Sequence, residues 1–185
     1  MANRYFGALV LLLSLAGPAL AGDYPKQKYD ATYTMTGPQG ASEMRMASDG
    51  AGKFLTKTKM QGQAYTSIVD YLKMTSTTLI EQSKMAMQTK LPETSKYVGD
   101  ESSVKKAGGK SLGARVVAGH PCHGWQYTSG GVKSESWLGD DVKIMVQSTT
   151  KAPGGTTVMT LKSVGGAPPA SAFEIPKGYK MMKTP

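Results

Sequence analysis

The stretch GHPCHGWQY, positions 119–127, gathers the residues best equipped for chemistry. Both histidines and the only cysteine of the chain, His120, Cys122 and His123, fall within four positions, and Trp125 follows two further on. Thiolate and imidazole are ligands for zinc and Cu(I), so a soft-metal site on His120 and Cys122 is one chemistry this spacing offers. In an extended strand, however, His120 and Cys122 share one side and His123 takes the other, so the segment supplies two ligands at most. A closed zinc site needs four, and the chain has no second cysteine or third histidine to complete it. The expected state is a packed strand start with a buried thiol; an intermolecular link or a metal ligand are the other fates open to a lone exported cysteine. A catalytic Cys-His pair would need an orienting Asn or Asp in a recognisable motif, and none is nearby. No serine triad, carboxylate pair or metal-binding helix motif occurs, so the chain reads as a non-enzyme without a cofactor or a resident metal.

The methionines are the second chemical signal. Eleven of the chain's 12 lie beyond position 21, against three phenylalanines in all, and Met44-x-Met46 and Met85-x-Met87 each put two thioethers on one side of an extended strand. Such side chains fill a core, form a pliable apolar pocket, or present soft ligands to copper. Asp49, Asp140 and Asp141 sit in turn sequences, where Asp bonds its own backbone. Asp70 interrupts an apolar strand and suits either a polar spot in a cavity or an outward position.

These residues are positioned by strands. The chain opens with one arginine, an apolar run over 6–15, a Gly17-Pro18 break and Ala19-Leu20-Ala21, the pattern of a secretory leader over 1–21. The domain expected to follow, 22–185, is exported to the periplasm or beyond. It has no second long apolar run and no cysteine at the cleavage site to take a lipid. The formal charge of +9 falls to +8 when Arg4 leaves with the leader. The basic balance suits anionic partners such as an envelope surface without choosing among them; the lysines are scattered, so a solvated basic surface is expected, and nucleic acid fits an exported protein poorly.

Period-two alternation marks strands at 29–36, 42–48 and 53–60, then 67–73 and 75–81. The segment SKMAMQTKLPE suits either a strand or a short helix. Polar, glycine-rich sequence over 94–113 reads as a flexible connection with room for one helical turn. Strands follow at 114–119, 123–129, 132–139, 142–151 and 156–165. The closing GAPPASAFEIPKGYKMM reads as a loop with Phe173 and Ile175 pointing inward. This is the pattern of a single antiparallel sandwich or barrel.

The order of these pieces, with SIVDYLKMTSTTLI, then GHPCHGWQYTSGGVKSESWLGDD, then FEIPKGYKMM, resembles an uncharacterised family of exported bacterial domains related to the lipoprotein carriers of the LolA/LolB type. The resemblance implies a mainly β fold, one curved antiparallel sheet forming an incomplete barrel with a short helix or loop insertion, wrapped around an apolar cavity that holds acyl chains in the carriers. The function expected on that basis is binding of a lipid or lipoprotein acyl chain in the concave face. The expected cavity residues are Met44, Met46, Ile68, Tyr71, Trp125, Tyr127, Trp137, Met145 and Met159. The rivals are the copper-binding protein using His120 and Cys122, and a non-catalytic envelope interaction module.

Overall fold

The protein is described by a computed structural model over residues 24–38, 40–60, 62–92, 97, 100–129 and 131–183. The expected leader lies outside these residues. The chain forms β1 (Lys28–Gly37), β2 (Gly40–Asp49), β3 (Lys53–Met60), β4 (Gln63–Asp70), β5 (Thr75–Ile80) and β6 (Met85–Lys90). After the helix α1 (Glu101–Lys106) come β7 (Lys110–Val117), β8 (His120–Ser129), β9 (Val132–Gly139), β10 (Met145–Ala152) and β11 (Gly155–Gly165), then a 3-10 turn (Ala170–Phe173) and β12 (Lys180–Lys183).

All twelve strands join one sheet in the order β12-β6-β5-β4-β3-β2-β1-β11-β10-β9-β8-β7. It is a single curved, mainly antiparallel sheet that does not close into a barrel. The exception to antiparallel pairing is β12, which runs parallel to β6 at one edge. The order explains what covers the sheet. The chain lays β1 to β6 outward in one direction, must then cross to the far edge to start β7, and walks back through β8 to β11 until β11 pairs with β1. The crossing connection carries Tyr97 and α1 over one face of the sheet, here termed the inner face.

The register identifies the residues on that face. Tyr33 lies opposite Met44, Ala31 opposite Met46 and Tyr29 opposite Ser48, and Ser48 in turn faces Phe54. Tyr29, Tyr33, Met44, Met46 and Phe54 are all buried, in one cluster with Tyr97 and Met159. Residues one position away point outward. On the outer face of β2 to β6, Ala47, Leu55, Ile68, Leu79 and Ala86 form a second cluster, sealed by Phe173 from the 3-10 turn. Ile175, expected to point inward beside Phe173, is exposed instead. The turn ends after Phe173 and returns the chain to solvent before β12.

Several boundaries differ from expectation. β4 runs over Gln63–Asp70 rather than 67–73, because residues 71–74 form a turn that Met74 closes with φ +50°. Within SKMAMQTKLPE, Met85–Lys90 form the strand β6, paired with β5 on one side and β12 on the other. The β7–β8 hairpin closes on Ala118 and Gly119, with φ of +48° and +86°, the pair of left-handed residues that a two-residue turn of matching twist requires.

Gly124 is a tight point. It lies opposite Trp137, and a Cβ added there would come within 2.6 Å of the indole ring. The Arg115 guanidinium also packs on the ring, 3.7 Å from its centroid, and donates to Gln147 Oε1 (3.1 Å). Gly124→Val is expected to destabilise the fold by about 1–3 kcal/mol through forced displacement of Trp137. Urea unfolding checks this, and an unchanged midpoint would show that the ring has room to move.

Candidate functional site

The helix α1 is built by its own sequence. Asp100 is the N-cap: its Oδ1 accepts from the Ser103 backbone N–H (2.8 Å), and Ser103 Oγ accepts from the Asp100 N–H (3.1 Å). Glu101 in the first turn and Lys105 and Lys106 in the last suit the helix dipole. This order over 101–106 falls inside the 94–113 connection that composition reads as flexible. Its buried Val104 packs on Trp125, Tyr127 and Leu138.

Beneath the connection lies a cluster of buried phenols. Tyr97 sits 5.6 Å from the Phe54 ring and edge-on to Tyr71 at 6.5 Å, and it hydrogen bonds with Tyr29. Tyr33 donates to the Met145 carbonyl (2.8 Å), tying β1 to the β10 end of the sheet. Burial raises the Tyr29 phenol to about 12 and pushes Tyr33 and Tyr97 well above the usual value of about 10. Phenols lose a proton on charging, so above pH ~10 the unfolded chain binds fewer protons than the folded one. The stability is therefore intact below that pH and falls as pH rises through it. A phenolate absorbance titration is expected to show these tyrosines silent until a cooperative alkaline unfolding. Smooth ionisation of the native protein from pH ~10 would contradict their burial.

The expected cavity residues divide between the two faces. Met44, Met46 and Met159 are buried in the inner cluster, with Tyr71 half-buried against it. Trp125, Tyr127 and Met145 occupy the inner face under α1. Ile68 belongs to the outer cluster under Phe173. Trp137 leaves β9 on the side opposite Ser136 and Trp125, and is buried in the same cluster as Met44, Met46 and Met159. Residues that the sequence reading did not single out complete the inner face. Tyr29 and Tyr33 were visible as one side of an alternating strand; Tyr97 stands in polar sequence and gives no local signal.

The inner face is not covered uniformly. The row Met46, Thr56, Ser67, Thr78, Met87 runs across β2 to β6, and Tyr65, Ile80 and Met85 form the next row. Met46 is buried, whereas Tyr65, Ile80, Met85 and Met87 are only half-buried, and Met182 of β12, opposite Met87, is 43% exposed. A strip of flexible thioethers and hydroxyls thus stays open beside the filled tyrosine core. At the other end, a cavity of about 390 Å³ lies between α1 and the β9–β10 turn, with Trp125, Leu138 and Gly139 as its buried floor.

At GHPCHGWQY the structure separates the chemically capable atoms. His120 Nδ1 pairs with Asp141 Oδ2 (2.7 Å) and His123 Nδ1 with Asp140 Oδ1 (2.8 Å). The bond from His120 holds the Asp141 carboxyl below its usual range. Cys122 is 1% exposed, its thiol donating to the His120 carbonyl (3.3 Å), and burial pushes its pKa up. No three His, Cys, Asp or Glu side chains converge on a metal-sized point among the described residues. The paired imidazoles latch the start of β8 to the β9–β10 turn, where the Asp140 N–H also donates to the Pro121 carbonyl (2.8 Å). Asp70 closes β4 by accepting from the Lys73 N–H (2.9 Å), and Asp49 accepts from the Ala51 and Lys53 N–H groups.

No family model matches the chain, and no curated protein does. Solved structures do share the fold. An uncharacterised conserved protein from Thermus thermophilus aligns with a TM-score of 0.65 over 86% of this chain and 91% of its own, at 8% identity. MucB, from the Pseudomonas aeruginosa MucA/MucB complex, aligns at 0.52 and 16% identity over 81% of this chain and 56% of its own. PNGF-II aligns at 0.54 and 12% identity over 85% of this chain. The chain spans about a third of PNGF-II and just over half of MucB. No helix among the described residues is long and apolar enough to cross a membrane.

Proposed function

We propose that this is an exported, non-catalytic protein that binds a hydrophobic or amphiphilic ligand, a lipid or a lipoprotein acyl chain, on the inner face of its curved sheet. The observation that carries the reading is the open strip of Tyr65, Ile80, Met85, Met87 and Met182 continuing outward from the buried Met44 and Met46. A folded core normally covers such residues. Here they form half-exposed rows backed by hydroxyls, and thioethers adapt to irregular apolar chains. The sequence resemblance to the LolA/LolB-type carriers supports the same reading at the level of architecture.

Native mass spectrometry of protein purified from its own envelope without detergent is expected to show a bound mass of lipid size. Met87→Glu places a charge on the strip at a half-buried position, and is expected to abolish that mass while the protein stays folded. Wild-type protein that comes through gentle purification empty would overturn the reading.

A second reading, an envelope interaction module, is favoured by β7. This edge strand is exposed along seven of its eight residues, and Val116 is 70% exposed. Such an edge can take an added strand from a partner, and MucB, which shares the fold, has been solved in complex with MucA. Recovery of an envelope protein with the wild type, lost on Val116→Lys, supports it.

A further inference from the structure

The C-terminal edge of the sheet gathers exposed apolar residues. Of the seven large hydrophobics exposed among the described residues, three fall within eight positions of this segment: Ile175 at 36%, Met181 at 40% and Met182 at 43%. The other four are divided among the β4–β5 turn, β7 and β11. Lysines are interleaved with the three. Lys84, Lys177 and Lys180 are all exposed, and the Lys84 ammonium stands 5.3 Å over the Tyr179 ring. The Lys180 N–H donates to the Lys84 carbonyl (2.8 Å), which sets these two lysines side by side where β12 begins. None of the three lysines forms an ion pair among the described residues. The acids nearby are Glu174, exposed beside Ile175, and Glu81, whose carboxylate is taken by Lys57 (2.6 Å).

The pairing of β12 decides what kind of partner this edge fits. Met181 lies opposite Ala86 of the outer cluster and Met182 opposite Met87 of the open strip, so the two thioethers leave opposite faces of the sheet. A ligand lying along the inner face reaches Met182 and not Met181. A partner strand would meet the free edge with its backbone, but β12 offers four residues and carries Lys180 at its entry, and short edges with lysines discourage strand addition. A medium that wraps the edge from both sides covers both thioethers at once. The boundary of a lipid bilayer is such a medium: its acyl margin takes the methionines, its interface suits Tyr179, and anionic headgroups meet the lysines. The same strand limits the depth, because its outer side has no further strand to pair with among the described residues, and hydrocarbon cannot satisfy those backbone groups.

We infer that the β12 edge is a docking surface for an anionic bilayer, seated at headgroup depth. Ile175, Met181 and Met182 enter the interface, and Lys84, Lys177 and Lys180 lie on the lipid phosphates. Met182 stands opposite Met87, so docking here turns the open strip toward the lipid. The docking itself does not require the strip to hold an acyl chain.

The test is cosedimentation of the full domain with vesicles of phosphatidylglycerol and phosphatidylcholine in equal parts, against vesicles of phosphatidylcholine alone. Binding to the mixed vesicles is expected, with binding to phosphatidylcholine about ten-fold or more weaker. Lys180→Glu should weaken binding to the mixed vesicles about ten-fold. Lys110→Glu makes the same change in net charge on β7, at the opposite end of the strand order, and should leave binding near the wild-type level. Met181→Ser combined with Met182→Ser should lower binding as well, with an unchanged urea midpoint because both side chains are exposed. Equal losses from Lys180→Glu and Lys110→Glu would reduce the effect to net charge and overturn the inference. Self-association without vesicles, abolished by the paired methionine change, would assign the edge to a second copy and overturn it too. A lipid-sized mass on a protein that ignores both kinds of vesicle would leave acyl-chain binding standing and sink the docking surface.

Discussion

Tyr33→Ala is expected to cost about 3–5 kcal/mol, enough to unfold much of a domain of ordinary stability at 37 °C. Tyr33 is 1% exposed and is the largest of the fully buried side chains. It stands at the middle of the sheet, where β1 joins the two meanders by pairing with both β2 and β11. Its ring lies among the inner-face residues, and its hydroxyl donates to the Met145 carbonyl across the register shift between β9 and β10. Alanine would remove both the ring and that bond, leaving a cavity and a buried carbonyl without its donor. Tyr33→Phe separates the two contributions: it keeps the ring and should cost only about 1 kcal/mol. Urea denaturation of both variants checks the pair. Equal losses would mean that the hydrogen bond, not the packing, holds the two halves together. A small loss in both would show that the inner face tolerates a void, as a ligand-accepting surface would.

Much of the fold was legible because its strands announce themselves locally. β3 and β9 end where the alternation and the flanking turns place them, at Lys53–Met60 and Val132–Gly139. The failures share a cause. β4 was expected to continue to residue 73 because Tyr71 and Leu72 extend its apolar pattern, but Met74 turns the chain at positive φ without a glycine to signal it. β12 was missed altogether: its four residues pair in parallel with β6, almost a hundred positions upstream, and nothing local specifies that. Site residues show the same limit. Alternation puts Met44 and Met46 on one side of β2, but which side of β4 or β9 faces inward depends on pairing with neighbours. Leu55 opposite Ile68 draws Ile68 to the outer face, where it joins Ala47, Leu79 and Ala86. Tyr97 enters the core only because the connection must cross the sheet, a requirement of topology that composition does not express.

The second large effect concerns the outer face. Phe173→Ala is expected to cost about 3–4 kcal/mol and also to change what the surface does. Phe173 is the buried residue of the 3-10 turn and seals the cluster of Ala47, Leu55, Ile68, Leu79 and Ala86, with Ala172 and Tyr179 packed at its margins. Among the described residues, no helix or second sheet backs that cluster. Removing the ring uncovers Leu55, Ile68 and Leu79 together and leaves the 3-10 turn without its anchor. β12 depends on the same segment, since the Lys180 N–H donates to the Lys84 carbonyl (2.8 Å) as the chain begins to pair with β6. Loss of the anchor should therefore loosen β12 and bare the β6 edge, which would then carry unpaired backbone groups beside an apolar patch. The expected signature is a lower unfolding midpoint together with dye binding and concentration-dependent association below it. Phe173→Leu should retain most of the stability and show neither. If Phe173→Ala loses stability but stays monomeric and binds no dye, the C-terminal segment covers the outer face without that ring, and the ring's contribution is packing alone.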